Sequence, residues 1–267
     1  MTTAPIDEAE LDELWRLCIE AAAAAGELVT DLQRRGEVDV TGTKSTVTDI
    51  VTNADGASER LLRQLLLEGR PGDGWLGEET GSTVADPARS QVRWIVDPID
   101  GTVNYLYGLP GWAVSIAAEV DGVVVAGAVV VPTFGEVFAA RLGGGAWHGS
   151  DRMIVSDCDE LTKALVATGF SYEASVRTRQ GRAVGKLLPL VRDIRRLGAA
   201  SVDLCSVAAG RVDAYFEHAL QPWDRAAGSL IAQEAGAVVL VDDDGSVVVA
   251  GPALIDELAQ TLAKIGS

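Results

Sequence analysis

Trp94-Ile-Val-Asp-Pro-Ile-Asp-Gly-Thr-Val-Asn-Tyr105 is the stretch on which the reading of the fold turns. Val92 to Val96 form an apolar, β-like run, and Asp97 and Asp100 stand where that strand is expected to end. Gly101 follows and opens a short helix. Two carboxylates and a glycine thus stand at a strand-to-helix junction, and taken singly Asp100-Gly101 reads as a turn.

Outward from this junction the two directions differ. Upstream, Leu11, Leu14, Trp15, Cys18, Ala22, Ala25, Val29 and Leu32 recur every three or four residues, which predicts a long helix ended by Gly36. A second helix is expected from about Asn53, through Leu61, Leu62, Leu65 and Leu66, to Gly69. The segment between them, 40–49, reads as a polar loop with freedom to move. Downstream, 112–120, 123–131 and 136–141 are strand-like, with Asp121-Gly122 a hairpin turn that calls for positive φ at both positions. Beyond Val155 strand and helix alternate, which is the α/β pattern. We therefore expect two lobes, 1–155 with an antiparallel sheet and two long helices, and 156–267 with α/β order, packed together without a linker.

The chain of 267 residues carries 22 Lys and Arg against 39 Asp and Glu, a net charge of −17. Such a field repels phosphate backbones and argues against direct nucleic-acid binding. Cys18, Cys158 and Cys205 are widely spaced, and His148 and His218 are the only histidines, so neither a disulfide framework nor a zinc site is expected. The early Ala-rich run is broken by charges, against a signal peptide or membrane span. The cytoplasm is the expected compartment.

Two further segments place acids near the ends or starts of elements: Glu78 and Glu79 after a short strand at 75–77, and Asp224 at a helix start in Pro222-Trp-Asp-Arg-Ala-Ala-Gly228. A helix cap explains Asp224 alone, and solvation explains Glu78-Glu79 alone. Together, carboxylates that outnumber the basic residues near them repel one another unless a cation lies among them. All-oxygen ligation suits Mg2+. Backbone N–H groups of Gly101 and Thr102 suit an anion, so the combination points to phosphate chemistry.

LGEE at 76–79, WIVDPIDGTVNY at 94–105 and PWDRAAG at 222–228 resemble, in order and spacing, the inositol monophosphatase family of Mg2+-dependent, lithium-sensitive phosphatases. The segments 43–55 and 197–224 are similar to that family as well. The resemblance implies a layered αβαβα sandwich, classed α/β (α+β), and two or three Mg2+ ions per site. It implies Glu78, Asp97 and the Ile99 carbonyl for one ion and Asp97, Asp100 and Asp224 for a second, with a weaker third ion at Glu78. Asp55 and Thr102 would orient the attacking water. Asp100, Gly101, Thr102, Gly198, Ala200 and Glu217 would hold the substrate, Glu217 through a ring hydroxyl. Lys44 and Asp49 match a loop that closes over the site. The implied reaction is hydrolysis of myo-inositol monophosphate by a homodimer, for which Trp112 or Trp147 are candidate anchors. Histidinol phosphate, fructose 1,6-bisphosphate and 3′-phosphoadenosine 5′-phosphate stay open as substrates. So does a regulatory, protein-binding role. Gly143–Gly145 lacks dinucleotide-loop spacing and reads as a hairpin connection. His218 reads as a surface or supporting residue. Arg192, Arg195 and Arg196 read as a solvated strand edge in preference to a phosphate clamp.

Overall fold

The computed structural model describes residues 6–86 and 88–266. The chain opens on α1 (Glu8–Arg35), capped by the Asp7 carboxylate and stopped by Gly36 at φ +68°. A hairpin of β1 (Val40–Thr43) and β2 (Ile50–Thr52) leads into α2 (Asn53–Glu68). Then come β3 (Gly74–Gly77), β4 (Gly81–Thr83), β5 (Val92–Asp100) and the short α3 (Thr102–Leu106). A meander of β6 (Ala113–Val120), β7 (Val123–Val131), β8 (Glu136–Arg141), β9 (Gly145–His148) and β10 (Asp151–Arg152) follows. The remainder runs β11 (Leu165–Thr168), α4 (Ala174–Leu187), β12 (Asp193–Arg195), α5 (Ala200–Ala208), β13 (Ala214–Glu217), α6 (Pro222–Glu234), β14 (Val238–Val241), β15 (Val247–Ala250) and α7 (Ile255–Ile265).

These elements stack in five layers. The larger sheet has the order β10-β9-β8-β7-β6-β5-β3-β4 and is antiparallel except where β3 runs parallel to β5. Alternation along its strands sends Trp94, Val96, Val114, Ile116 and Ala128 to α1 and α2, and Ile95, Ala117, Val129 and Phe138 to α5 and α6. The smaller sheet, β12-β11-β13-β15-β14, gives Ala167, Tyr215 and Val249 to the same α5–α6 layer, and Val166, Ala214 and Phe216 to α4 and α7. Small residues let the middle layer close. A Cβ on Gly228 would stand 2.7 Å from Leu204, and one on Gly127 3.1 Å from Ala227.

One irregularity positions the site. Asp97 pairs with Ser115 but Asp100 with Ala113, so β5 holds one residue more than β6 there, a β-bulge at Pro98-Ile99. Proline has no N–H for the ladder and favours such a break. Residues three apart on a regular strand face opposite ways; the bulge re-aims the end of the strand so that Asp97 and Asp100 line one cavity.

A buried glutamate on α2 fixes the neighbouring turn. Glu59, fully buried, accepts the Glu79 N–H at 2.7 Å, the Thr80 N–H at 3.0 Å, the Trp75 Nε1–H at 3.2 Å and the Thr80 hydroxyl. Gly77 leaves the room, since a Cβ there would lie 2.1 Å from Glu59 Oε1.

Three expectations need correction. Residues 40–52 form an antiparallel hairpin, because Lys44 N–H bonds Asp49 O and the Asp49 carboxylate takes Ser45, so local polar side chains organise the segment. Trp112 is no interface anchor: it is fully buried, edge-on to Tyr105 at 5.0 Å. Trp147 is half-buried, its Nε1–H donated to Gly144 O. β4, β9 and β10 were not anticipated. Asp121 and Gly122 do have φ of 51° and 82° at the β6–β7 turn. Gly143 and Gly145 connect β8 to β9, and their N–H groups bond the Glu234 carboxylate. Among the described residues no helix is long and apolar enough to cross a membrane.

Glu59→Ala leaves buried donors without an acceptor, so it should cost about 3 kcal/mol, a Tm lower by roughly 5 to 10 °C for a chain of this size. Thermal melts of Glu59→Ala and Glu59→Gln check this, with the glutamine variant expected to lose less. Wild-type melting of the alanine variant would remove Glu59 from this role.

Candidate active site

The bulged end of β5, the turn after β3 and the first turns of α3, α5 and α6 meet around a cavity of about 130 Å3. Asp97, Asp100, Asp224 and Asp55 are each held by backbone or hydroxyl donors. Asp97, 2% exposed, accepts the Ile99 N–H at 3.0 Å. Asp100 accepts the N–H and hydroxyl of Ser201 at 2.7 and 2.5 Å, tying the larger sheet to α5. Asp224 closes a capping box with Gln221, whose N–H it takes at 2.7 Å, behind Pro222. Asp55 does the same for α2, taking the Thr52 N–H and hydroxyl at 2.8 and 2.6 Å. Its other oxygen lies 3.3 Å from the Thr102 hydroxyl, which also donates to Ile99 O at 3.0 Å.

Lys44, Asp49, Glu78, Asp97, Ile99, Asp100, Gly101, Thr102, Gly198, Ala200, Glu217 and Asp224 all line this one cavity. Asp55 stands behind it and reaches it through Thr102. Glu78 and Glu79 find their basic partner in the hairpin: Lys44 Nζ lies 2.7 Å from Glu78 and 2.5 Å from Glu79. Burial alone would lower the Lys44 pKa, but the two glutamates outweigh it and raise it.

Removing these carboxylates from water raises their pKa values. Burial pushes Glu78 up to about 7 against the pull of Lys44. Asp97 is raised by burial and then by Glu78, Asp100 and Asp224; Asp224 by burial and then by Asp100 and Glu78. Asp100 is pushed to about 6 by burial, held down by its bonds to Ser201. Burial likewise puts Glu217 at about 7, although the Tyr215 hydroxyl donates to it at 2.6 Å. Gly169 makes space for that carboxylate.

The donor chemistry suits a hard divalent cation. Carboxylates of Glu78, Asp97, Asp100 and Asp224 and the Ile99 carbonyl are all oxygen, and Glu78 Oε2 is buried with no hydrogen-bond partner. The set is not drawn in as it stands: among the described residues no three His, Cys, Asp or Glu are arranged to hold an ion. Lys44 supplies the positive charge against Glu78 instead.

Residues 10–264 match the inositol monophosphatase family. The chain belongs to that family. It is accordingly a phosphoric monoester hydrolase by class. An inositol-1-monophosphatase of Mycobacterium leprae is 48% identical over 234 residues, 83% of this chain and 80% of that protein. The solved structure of Mycobacterium tuberculosis SuhB superposes with a TM-score of 0.83 at 42% identity, covering 95% of this chain and 97% of that one. A Pasteurella multocida protein named Nus factor SuhB is 34% identical, over 93% of this chain and 95% of its own length.

Several residues in or behind the site were not singled out from the sequence. Glu59 is buried behind the Glu79–Thr80 turn on a helix face that reads as solvated, and Phe170 and Tyr172 line the cavity from a loop without a motif. Asp203, 1% exposed on α5, has its pKa raised by burial and then by Glu217. Arg196 is exposed after the edge strand β12, as the solvated-edge reading expects, and also lines the cavity, whereas Arg192 bonds Lys163 O and Arg195 bonds Asp193.

The raised carboxyls set a pH dependence. Folded, they hold protons that the unfolded chain releases near pH 4, so the folded state binds more protons and stability falls as pH rises through about 6 to 7. Calorimetry in chelator should give a higher Tm near pH 5 than near pH 8, and a divalent cation should restore more stability at the higher pH. A Tm flat across that window would mean the acids are compensated within the chain.

Proposed function

We propose that this chain hydrolyses a small polyol phosphate monoester, myo-inositol monophosphate first, to the alcohol and inorganic phosphate with Mg2+. The observation that carries this reading is one cavity lined both by Glu78, Asp97, Asp100 and Asp224 and by Glu217, Gly198 and Ala200. Family membership and the relative named an inositol-1-monophosphatase support it.

Glu78, Asp97, Ile99 O, Asp100 and Asp224 would hold two or three Mg2+ ions. Bound there, Mg2+ would cancel charge on the phosphate dianion and lower the pKa of a water. The chain's own part is positioning. Asp55, fixed at one oxygen by Thr52, offers the other to the Thr102 hydroxyl, so the pair can accept and align a water proton at a set angle. N–H groups of Gly101 and Thr102 face the phosphate. Glu217 accepts a ring hydroxyl through the oxygen that Tyr215 leaves free, next to backbone at Gly198 and Ala200. Lys44 and Asp49 bring the hairpin over the acids.

The two lobes, 1–155 and 156–267, would then each contribute part of one site. We place the reaction in the cytoplasm, where three unpaired cysteines are usual, and take the enzyme as a homodimer with lithium sensitivity. The relative named a Nus factor motivates a second reading, a regulatory contact with a protein partner. A charge of −17 disfavours direct RNA contact.

Purified protein assayed on a panel of phosphate esters, with Mg2+ and with chelator, tests the reading. Turnover should vanish in chelator and return with Mg2+, and no turnover of any ester with Mg2+ would favour the regulatory reading. Asp97→Asn should lower kcat by orders of magnitude with the fold intact by circular dichroism; near-normal turnover at saturating Mg2+ would make Asp97 a structural residue. Glu217→Gln should lower kcat/KM on inositol 1-phosphate about ten- to a hundredfold and spare β-glycerophosphate, which has no ring hydroxyls. Equal losses on both esters would move Glu217 out of substrate recognition.

A further inference from the structure

We propose that His218 and Ser246 are positioning residues for Asp224. With Leu220 and Gly245 they clasp the connector between β13 and α6 to the β14–β15 turn, and so hold the first turn of α6 where its carboxylate faces the cavity. Neither His218 nor Ser246 lines that cavity. The proposal rests on the phosphatase reading above, in which Asp224 holds Mg2+.

Residues 218–221 join Glu217, the last residue of β13, to Pro222, the first of α6. Within this connector Ala219 has φ +59°, in the left-handed region where a Cβ crowds the backbone. Asp121, another residue in that region, sits in the β6–β7 hairpin turn, which calls for it; Ala219 lies in no hairpin. A conformation of this kind persists only where its surroundings hold it. Here the hold brackets Ala219. His218 Nδ1 and Ser246 Oγ share a hydrogen bond of 3.0 Å on one side, and Leu220 N–H donates to Gly245 O at 3.1 Å on the other. The bond to Ser246 is the one the His218 ring makes among the described residues, since Nε2 is buried without a partner. Gly245 allows the approach, for a Cβ there would stand 2.4 Å from Leu220 O.

The turn that does the holding is itself tied down. Ser246 is buried, its N–H donated to the Asp244 carboxylate at 2.9 Å. Asp242 N–H donates to Ser246 O and Gly245 N–H to Asp242 O, each at 2.9 Å. Val247 pairs with Glu217 across β15 and β13, which sets the turn beside the connector. Release of the clasp would not act equally on the two acids that flank the connector. Glu217 keeps its strand pairing and the Tyr215 hydroxyl. Asp224 has no such second anchor: its capping box depends on where Gln221 points its N–H, and Gln221 follows Leu220 directly. Relaxation at Ala219 is therefore passed through Leu220, which lines the cavity, to the first turn of α6. Supports of this kind, one step removed from a ligand, set metal affinity by fixing the direction of the ligand oxygen.

The experiment measures Mg2+ binding to the full chain by isothermal titration calorimetry, and beside it the Mg2+ dependence of kcat and the melting temperature. Ser246→Ala should weaken Mg2+ about three- to tenfold in binding and in turnover, with the ratio of inositol 1-phosphate to β-glycerophosphate activity unchanged at saturating Mg2+. His218→Phe, which keeps a ring and loses Nδ1, should match it. Ser246→Thr keeps the hydroxyl and should recover most of the affinity, and Asp243→Ala, exposed on the same turn, should bind Mg2+ as wild type does. Wild-type Mg2+ affinity in Ser246→Ala and His218→Phe overturns the proposal, even where Tm falls, because the clasp is then structural only. A weakened site with an equally lowered ester ratio also overturns it, since the disturbance then reaches Glu217 and is not directed at Asp224. Mg2+ binding by wild type without cleavage of any ester removes the phosphatase reading, and the binding arm still decides this proposal. No Mg2+ binding by wild type removes both.

Discussion

Like charges brought together out of water are the constraint on which this structure is built. Glu78, Asp97, Asp100 and Asp224 line one small cavity, and each has its pKa raised by burial. Such a cluster would scatter in a flexible loop. Here three of the acids are bound into the backbone: Asp97 takes Ile99 N–H, Asp100 takes Ser201 N–H at the start of α5, and Asp224 takes Gln221 N–H at the start of α6. Charge-assisted bonds to N–H groups are among the stronger ones a chain can make, and a helix start adds a favourable dipole. The fold thereby offsets part of the repulsion locally, residue by residue.

Capping and ligand roles are consequently not alternatives. Asp224 is the third residue of a capping box and also lines the cavity; Asp55 is the third residue of another and reaches the cavity through Thr102. A carboxylate has two oxygens, and one spent on a cap leaves the other with a fixed direction. The local reading of Asp224 as a helix cap was correct as geometry, whereas the capping box of Asp55 was not read from the sequence. Their gathering is a property of the tertiary fold, which no single segment displays.

This separates what the sequence disclosed from what it hid. The α1 stripe, the Asp121-Gly122 turn and the β5 ending were legible because each depends on local periodicity or turn chemistry. The bulge at Pro98-Ile99 was not read from the sequence, because its effect on Asp97 and Asp100 shows only against the partner strand. Lys44 was legible as part of a motif but not as the counter-charge of Glu78 and Glu79, which lie far along the chain. Trp112 misled for a related reason: size alone cannot tell a surface anchor from a residue packed inside the fold against Tyr105. Glu59 gave no signal at all, since a charged residue on an amphipathic helix ordinarily faces water.

Glycines complete the logic by removing volume where charges must sit. A Cβ at Gly77 would collide with Glu59, one at Gly169 with Glu217 and one at Gly198 with Arg196. In each case the side chain opposite is ionisable, and the missing methyl lets it lie against backbone instead of turning to solvent. At Gly198 the requirement is double, because φ is +99° as well. The same absence that lets the chain bend there opens the space over which the Arg196 guanidinium lies. A substitution at that position would therefore disturb the backbone path into α5 and the charge at the rim together, and α5 is the helix whose first turn holds Asp100.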